Sequence, residues 1–116
     1  MELTYQVFTV HKRVPLTISR GTTAQSSNLW LRLAADGVEG WGEAAPFSIG
    51  SHQQTLASLQ ADLGPLQEEL RSYHPWQRQA IAALAIRLGL QSASRAALDV
   101  ALWDWAGKAT GQPLWR

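Results

Sequence analysis

Nine carboxylates and three imidazoles are the groups with which this 116-residue sequence could bind a metal or move a proton. The acids are Glu2, Asp36, Glu39, Glu43, Asp62, Glu68, Glu69, Asp99 and Asp104. Glu39 and Glu43, four apart in a strand-like stretch, share one face. One such pair supplies too few hard ligands for a magnesium site, so both read as surface residues. Asp99 and Asp104, five apart on a helix, stand about 140° apart around its axis and cannot converge on one ion. Asp104 and Lys108 fit an exposed i,i+4 ion pair instead. His11, His52 and His74 fall in no metal-ligand spacing and read as surface or cap histidines, with His52 set apart by its place where a loop meets a helix. The glycines of "GVEGWG" (37–42) have the wrong order for a dinucleotide motif and lie in a hairpin, not in a strand-to-helix turn. The tryptophans at 30, 41, 76, 103, 105 and 115 read mainly as core or interface residues.

No complete active site emerges from these groups, and the bulk properties narrow the partners further. Ten basic and nine acidic residues leave a net charge of +1, so nothing in the charge favours a nucleic acid or an anionic membrane. There is no cysteine, which removes disulfide and thiolate chemistry and suits a reducing compartment. The apolar run Ala80–Ile86 falls far short of the roughly 20 residues of a membrane span. The opening "MELTYQ" lacks the apolar core of a signal peptide. A soluble, cytoplasmic protein of one domain, residues 1–116, is expected.

Strands come first along the chain. "LTYQVFTVH" (Leu3–His11) alternates as a half-buried strand, and "NLWLRLAA" (Asn28–Ala35) puts Leu29, Leu31 and Leu33 on one face. The polar connection between them is long for a hairpin. Asp36-Gly37 signals a tight turn into a third strand, Val38–Ala44. The period then changes. Ser51 and Gln54 have capping-box spacing, and Leu56, Leu59, Leu63, Leu66 and Leu70 form one helical stripe, with a kink or break expected at Gly64-Pro65. Pro75 suits the first turn of a second helix that runs to about Gly89, with Trp76, Ile81, Leu84 and Leu88 inward. Ser92 or Ser94 can cap a last helix, which Gly111 and Pro113 stop. Strands followed by helices define an α+β fold: a three-stranded antiparallel meander and a bundle of three to four helices.

Taken together, "VPLTISRGTTAQSSNLWLRL", "DGVEGWGEAAPF" and "SRAALDVALWDWAGKATGQPL" resemble the amino-terminal capping domain of the enolase superfamily. The likeness is to the muconate-lactonizing (mandelate racemase/muconate lactonizing enzyme) subgroup, dipeptide epimerases in particular, and it extends from about Leu3 to Trp115. The resemblance implies a cap over the carboxyl end of a (β/α) barrel. It also implies abstraction of a proton α to a carboxylate, with Mg2+ held by three carboxylates offsetting the developing charge. Those ligands and bases belong to barrel strands, which residues 1–116 lack, so no catalytic or metal-binding residue is assigned and the chain alone is expected to be inert.

What the cap contributes in that family is substrate selection through two loops. The resemblance puts the first at Thr17–Thr23, with Thr17, Ile18, Ser19, Arg20 and Thr22 as substrate-binding residues. It puts the second at Phe47–His52, with Phe47, Ser48, Ile49 and His52. Arg20 matches a position that presents a basic side chain to the distal carboxylate of the substrate, which a guanidinium can hold in bidentate fashion. The first loop departs from the pattern, since only Thr17 separates Leu16 from Ile18 where relatives carry several more residues. Glu43 reads as structural, hydrogen-bonded to loop backbone. The expected partners are the chain's own barrel domain and a small dipeptide-like carboxylate, with a homo-oligomer open. An L-Ala-D/L-Glu type epimerase leads, against a cycloisomerase, an o-succinylbenzoate synthase or a stand-alone interaction domain. A severed cap should expose an apolar patch, for which Phe47 and Trp115 stand out.

Overall fold

A computed structural model describes the backbone of residues 1–18, 21–45, 48, 49, 52, 53 and 55–111, and the side chains of 1–8, 28–45 and 55–111. Strands β1 (Glu2–Ile18), β2 (Gly21–Ala35) and β3 (Val38–Ala44) form an antiparallel meander in that order. A separate two-stranded pair, β4 (Ser48–Ile49) and β5 (His52–Gln53), follows. Helices α1 (Leu56–Leu70), α2 (Arg78–Arg87) and α3 (Ser92–Thr110) complete the α+β fold expected from the sequence.

Two residues make the turn between β2 and β3. Asp36 and Gly37 both adopt left-handed backbone, with φ of 55° and 74°, which matches the twist of the flanking strands. The first hairpin is longer than its composition suggests. Most of the connection expected between Lys12 and Ser27 is strand: β1 pairs with β2 from Glu2↔Ala34 to His11↔Gln25, then again from Leu16↔Thr23 to Ile18↔Gly21. The register breaks between His11 and Leu16, the stretch that contains Pro15, which has no N–H to give to a ladder. The β-branched residues on either side of the tip restore it.

Alternation sorts the strands into two faces. Leu3, Leu29, Leu31, Leu33, Gly40, Gly42 and Ala44 face inward and are buried. Against them lie Leu59, Leu63, Leu66 and Leu70 of α1 and Ala97, Ala101 and Trp105 of α3.

The helix ends differ from expectation in three places. Thr55 and Ser58 form the capping box of α1, each side-chain oxygen accepting the other's backbone N–H at 3.0 and 2.9 Å, so the box sits four residues beyond the expected Ser51/Gln54. Ser51 and Gln54 lie outside the described residues. The helix then runs unbroken through Pro65, giving one helix where two were open. Pro75 is buried ahead of α2, which begins only at Arg78; Trp76 therefore falls in the preceding turn, 52% exposed, and not inward. Neither Ser92 nor Ser94 caps α3. Gln91 is its N-cap residue, and Asp62 of α1 accepts both the Gln91 N–H and the Ser94 hydroxyl at 2.9 Å. A carboxylate at a helix start also meets the positive end of the helix dipole. Left-handed Gly111 closes α3, as expected.

Candidate functional site

The expected substrate-binding residues fall on two hairpins. Thr17 pairs with Thr22 and Ile18 with Gly21 in the first hairpin. Ile49 pairs with His52 and Ser48 with Gln53, so the second expected loop is itself a short hairpin. The backbone thus brings Thr17 together with Thr22, and Ile49 with His52. Ser19, Arg20 and Phe47 lie outside the described residues, as does Trp115, and for Thr17, Ile18, Thr22, Ser48, Ile49 and His52 the backbone alone is described.

What holds the base of the first hairpin is clear. β3 ends at Ala44, opposite Leu29 of β2, and beyond that point β1 and β2 continue as a two-stranded ribbon. Behind β3, helix α3 approaches unusually closely. A Cβ added at Gly40 would collide with the Ala101 carbonyl and with Trp105, and one at Gly42 with the Ala97 carbonyl. Gly-x-Gly on the strand thus faces Ala97 and Ala101, one helical turn apart on α3. The "GWG" of the third strand is a packing device. Its signal in the sequence is the match of period 2 in "GWG" with the i,i+4 alanines of "ALDVALWDWA".

The same seam is pinned by hydrogen bonds. The Trp41 N–H donates to Asp104 of α3 at 2.9 Å, which satisfies a donor on the exposed edge of the sheet. Lys108 reaches the same Asp104 oxygen at 2.8 Å, the i,i+4 pair expected. The buried Trp105 indole N–H donates to the Ala35 carbonyl at 3.1 Å. At the turn, His74 meets the Asp36 carboxylate at 2.7 Å and packs edge-on against Trp105.

On the outward face the acids are structural. Glu43 accepts from the Asn28 side-chain amide at 2.6 Å, a cross-strand partner, and most of the loop backbone expected to meet it lies outside the described residues. Glu39 pairs with Arg32 at 3.0 Å. The hydrogen bond from Arg32, with its nearby charge, holds the Glu39 carboxyl below the ordinary glutamate range, and Glu39 raises Arg32 in turn. Among the described tryptophans Trp105 alone is core; Trp41, Trp76 and Trp103 are roughly half-exposed because they stand on the outward sheet face, in a turn and on the outer side of α3.

No group of three or more histidine, aspartate or glutamate side chains converges to hold a metal ion among the described residues. The donor set described here therefore does not fit magnesium. Nor is any helix among the described residues long and apolar enough to cross a membrane.

A three-stranded meander backed by three helices, with the ribbon of β1 and β2 projecting past β3, is the architecture of a capping domain. The profile of the "Mandelate racemase / muconate lactonizing enzyme, N-terminal domain" matches residues 2–116, and the chain belongs to that family, the amino-terminal capping domain of the enolase superfamily. It is 38% identical to a hydrophobic dipeptide epimerase of Roseobacter litoralis and 34% identical to one of a Flavobacteria bacterium, over 99% and 98% of its own length. It spans 32% of each of those relatives. A dipeptide epimerase from Methylococcus capsulatus, complexed with Mg and the dipeptide L-Arg-D-Lys, superimposes with a TM-score of 0.76 at 27% identity, over 97% of this chain and 32% of that one.

Proposed function

We propose that this chain is the substrate-selecting cap of a dipeptide epimerase that acts on apolar dipeptides. The observation that carries the reading is the 34% and 38% identity to two hydrophobic dipeptide epimerases along nearly the whole chain. Those names favour an apolar dipeptide over the L-Ala-L-Glu type that the motifs alone suggested. The remaining two-thirds of such an enzyme is a (β/α) barrel that holds the magnesium ion and the bases that remove the α-proton. Magnesium use is supported by the Methylococcus enzyme, which was solved with Mg bound. In this reading the ligands and bases come from the barrel, and no metal-holding cluster forms among the described residues.

In this reading the cap works by enclosure. Thr17–Thr23 and Phe47–His52 close over the substrate and exclude water, which strengthens the electrostatics of the proton transfer beneath. The residues assigned to substrate selection are Thr17, Ile18, Ser19, Arg20 and Thr22 in the first segment and Phe47, Ser48, Ile49 and His52 in the second.

The test is hydrogen exchange at the α-carbon in D2O, using the complete polypeptide that carries this domain, magnesium and a dipeptide panel. Exchange with apolar dipeptides is expected. Exchange restricted to L-Ala-L-Glu would overturn the substrate assignment, and none with any dipeptide would overturn the epimerase.

A further inference from the structure

A cleft of about 190 Å3 lies between α2 and α3. Its floor is apolar and buried: Ile81 and Ala85 from α2, Leu98 and Leu102 from α3. Simple apolar cavities of about 150 Å3 take up benzene, so the space suits a single ring or a short aliphatic chain. Ile86 stands on its rim, 68% exposed.

Arg78 lines the same cleft and is held in an unusual way. Its guanidinium carbon sits 3.9 Å from the centre of the Trp103 ring. Stacking of this kind fixes the guanidinium plane and leaves its N–H groups, which lie in that plane, free to meet an acceptor. Nη1 is buried and has no hydrogen-bond partner among the described residues. An arginine cannot shed its proton to relieve this, and a buried donor without an acceptor is destabilising. Arg95 and Asp99, four apart on α3, also line the cleft. Among the described residues the cleft lining therefore carries two arginines and one aspartate, a net positive charge beside an apolar floor.

We propose that this cleft binds a small apolar carboxylate, with its hydrocarbon part on the Ile81/Ala85/Leu98/Leu102 floor and its carboxylate accepting from the Arg78 guanidinium. The charge balance favours an anion over a second copy of the chain, which would set one net positive rim against another. The site lies on the helices, not on the hairpins of the proposed substrate loops, and it does not rest on the epimerase reading.

Titration of the isotope-labelled protein at neutral pH with phenylacetate, followed by amide and indole NMR shifts, tests the site. Saturable shifts are expected at Ala82, Ala85 and Leu98 and at the Trp103 indole, and no comparable response to the neutral phenylacetamide. Arg78→Gln should weaken phenylacetate binding by about tenfold or more, since a charge-assisted hydrogen bond is lost. Arg78→Lys, which keeps the charge without the planar fork, should fall between. Arg71→Gln, at an exposed pair with Glu68 elsewhere on the surface, should bind as the parent does. Any one of three results overturns the proposal: no saturable shift, an equal response to phenylacetamide, or binding retained in Arg78→Gln. Shifts at these residues that grow with protein concentration in the absence of phenylacetate would assign the cleft to a second copy and overturn it as well.

Discussion

The seam between α3 and β3 and the far end of the β1–β2 hairpin belong to one meander, yet different forces specify them. At the seam every position is set by volume: Gly40 and Gly42 admit the helix backbone, Ala97 and Ala101 keep it close, and Trp105 closes the end with 1% of its surface exposed. Past Leu29 and Ala44 the third strand stops, and the ladder from β1 to β2 continues as a ribbon to Ile18 and Gly21. A ribbon held by backbone pairing leaves its side chains free to be chosen for a ligand, whereas a seam leaves no such choice.

The comparison can be broken first at the seam, where the largest effects are expected. Trp105→Ala should cost about 4 kcal/mol of stability in urea denaturation, through the cavity it leaves and the lost bond to Ala35. A loss under about 1 kcal/mol, typical of surface positions, would show that the seam does not carry the fold. Gly42→Ala comes next. It forces the new Cβ onto the Ala97 carbonyl, and a loss of about 2 kcal/mol is expected because backbone cannot step aside as a side chain can. Asp62→Ala removes the acceptor that ties the start of α3 to α1, with an expected loss of about 1.5 kcal/mol and earlier amide exchange in the first turn of α3.

The ribbon should behave in the opposite way. Arg20→Ala is expected to change stability by no more than about 0.5 kcal/mol. A loss matching that of Gly42→Ala would erase the distinction between the two regions. The smallest effect is electrostatic. Glu39 titrates below the ordinary glutamate range because Arg32 stabilises its charged form. Its contribution is therefore present at neutral pH and is lost only as the pH falls through that lowered value. Glu39→Gln should flatten this acid limb of the stability profile and leave the neutral range nearly unchanged.

Much of the core was legible in the sequence, and the reasons are specific. The inward leucines at 29, 31 and 33, the Asp36-Gly37 turn and the leucine stripe of α1 each follow a strict period or a single backbone requirement, and all appear where expected. The close approach at Gly40 and Gly42 was missed because its two halves, a strand dipeptide repeat and a helical alanine pair, are far apart in the chain and gain meaning only in contact. The helix starts were misread for a related reason. Serines at 51, 92 and 94 are good local caps, but Thr55 and, for α3, the distant Asp62 take their place. The hairpin extension was hidden by polar composition, since pairing between the strands needs only backbone groups. The residues proposed to meet the substrate rest on resemblance rather than on any local pattern, because loops chosen by a ligand carry no period.

The measurement that bears most directly on the proposed division of labour is the ratio of kcat/KM for an apolar dipeptide to that for L-Ala-L-Glu. It is taken in the complete polypeptide carrying this domain and in its Arg20→Ala variant. If this hairpin reads the substrate, the parent favours the apolar dipeptide and the variant shifts that ratio by about tenfold or more while stability stays constant. An unchanged ratio would contradict selection by this hairpin.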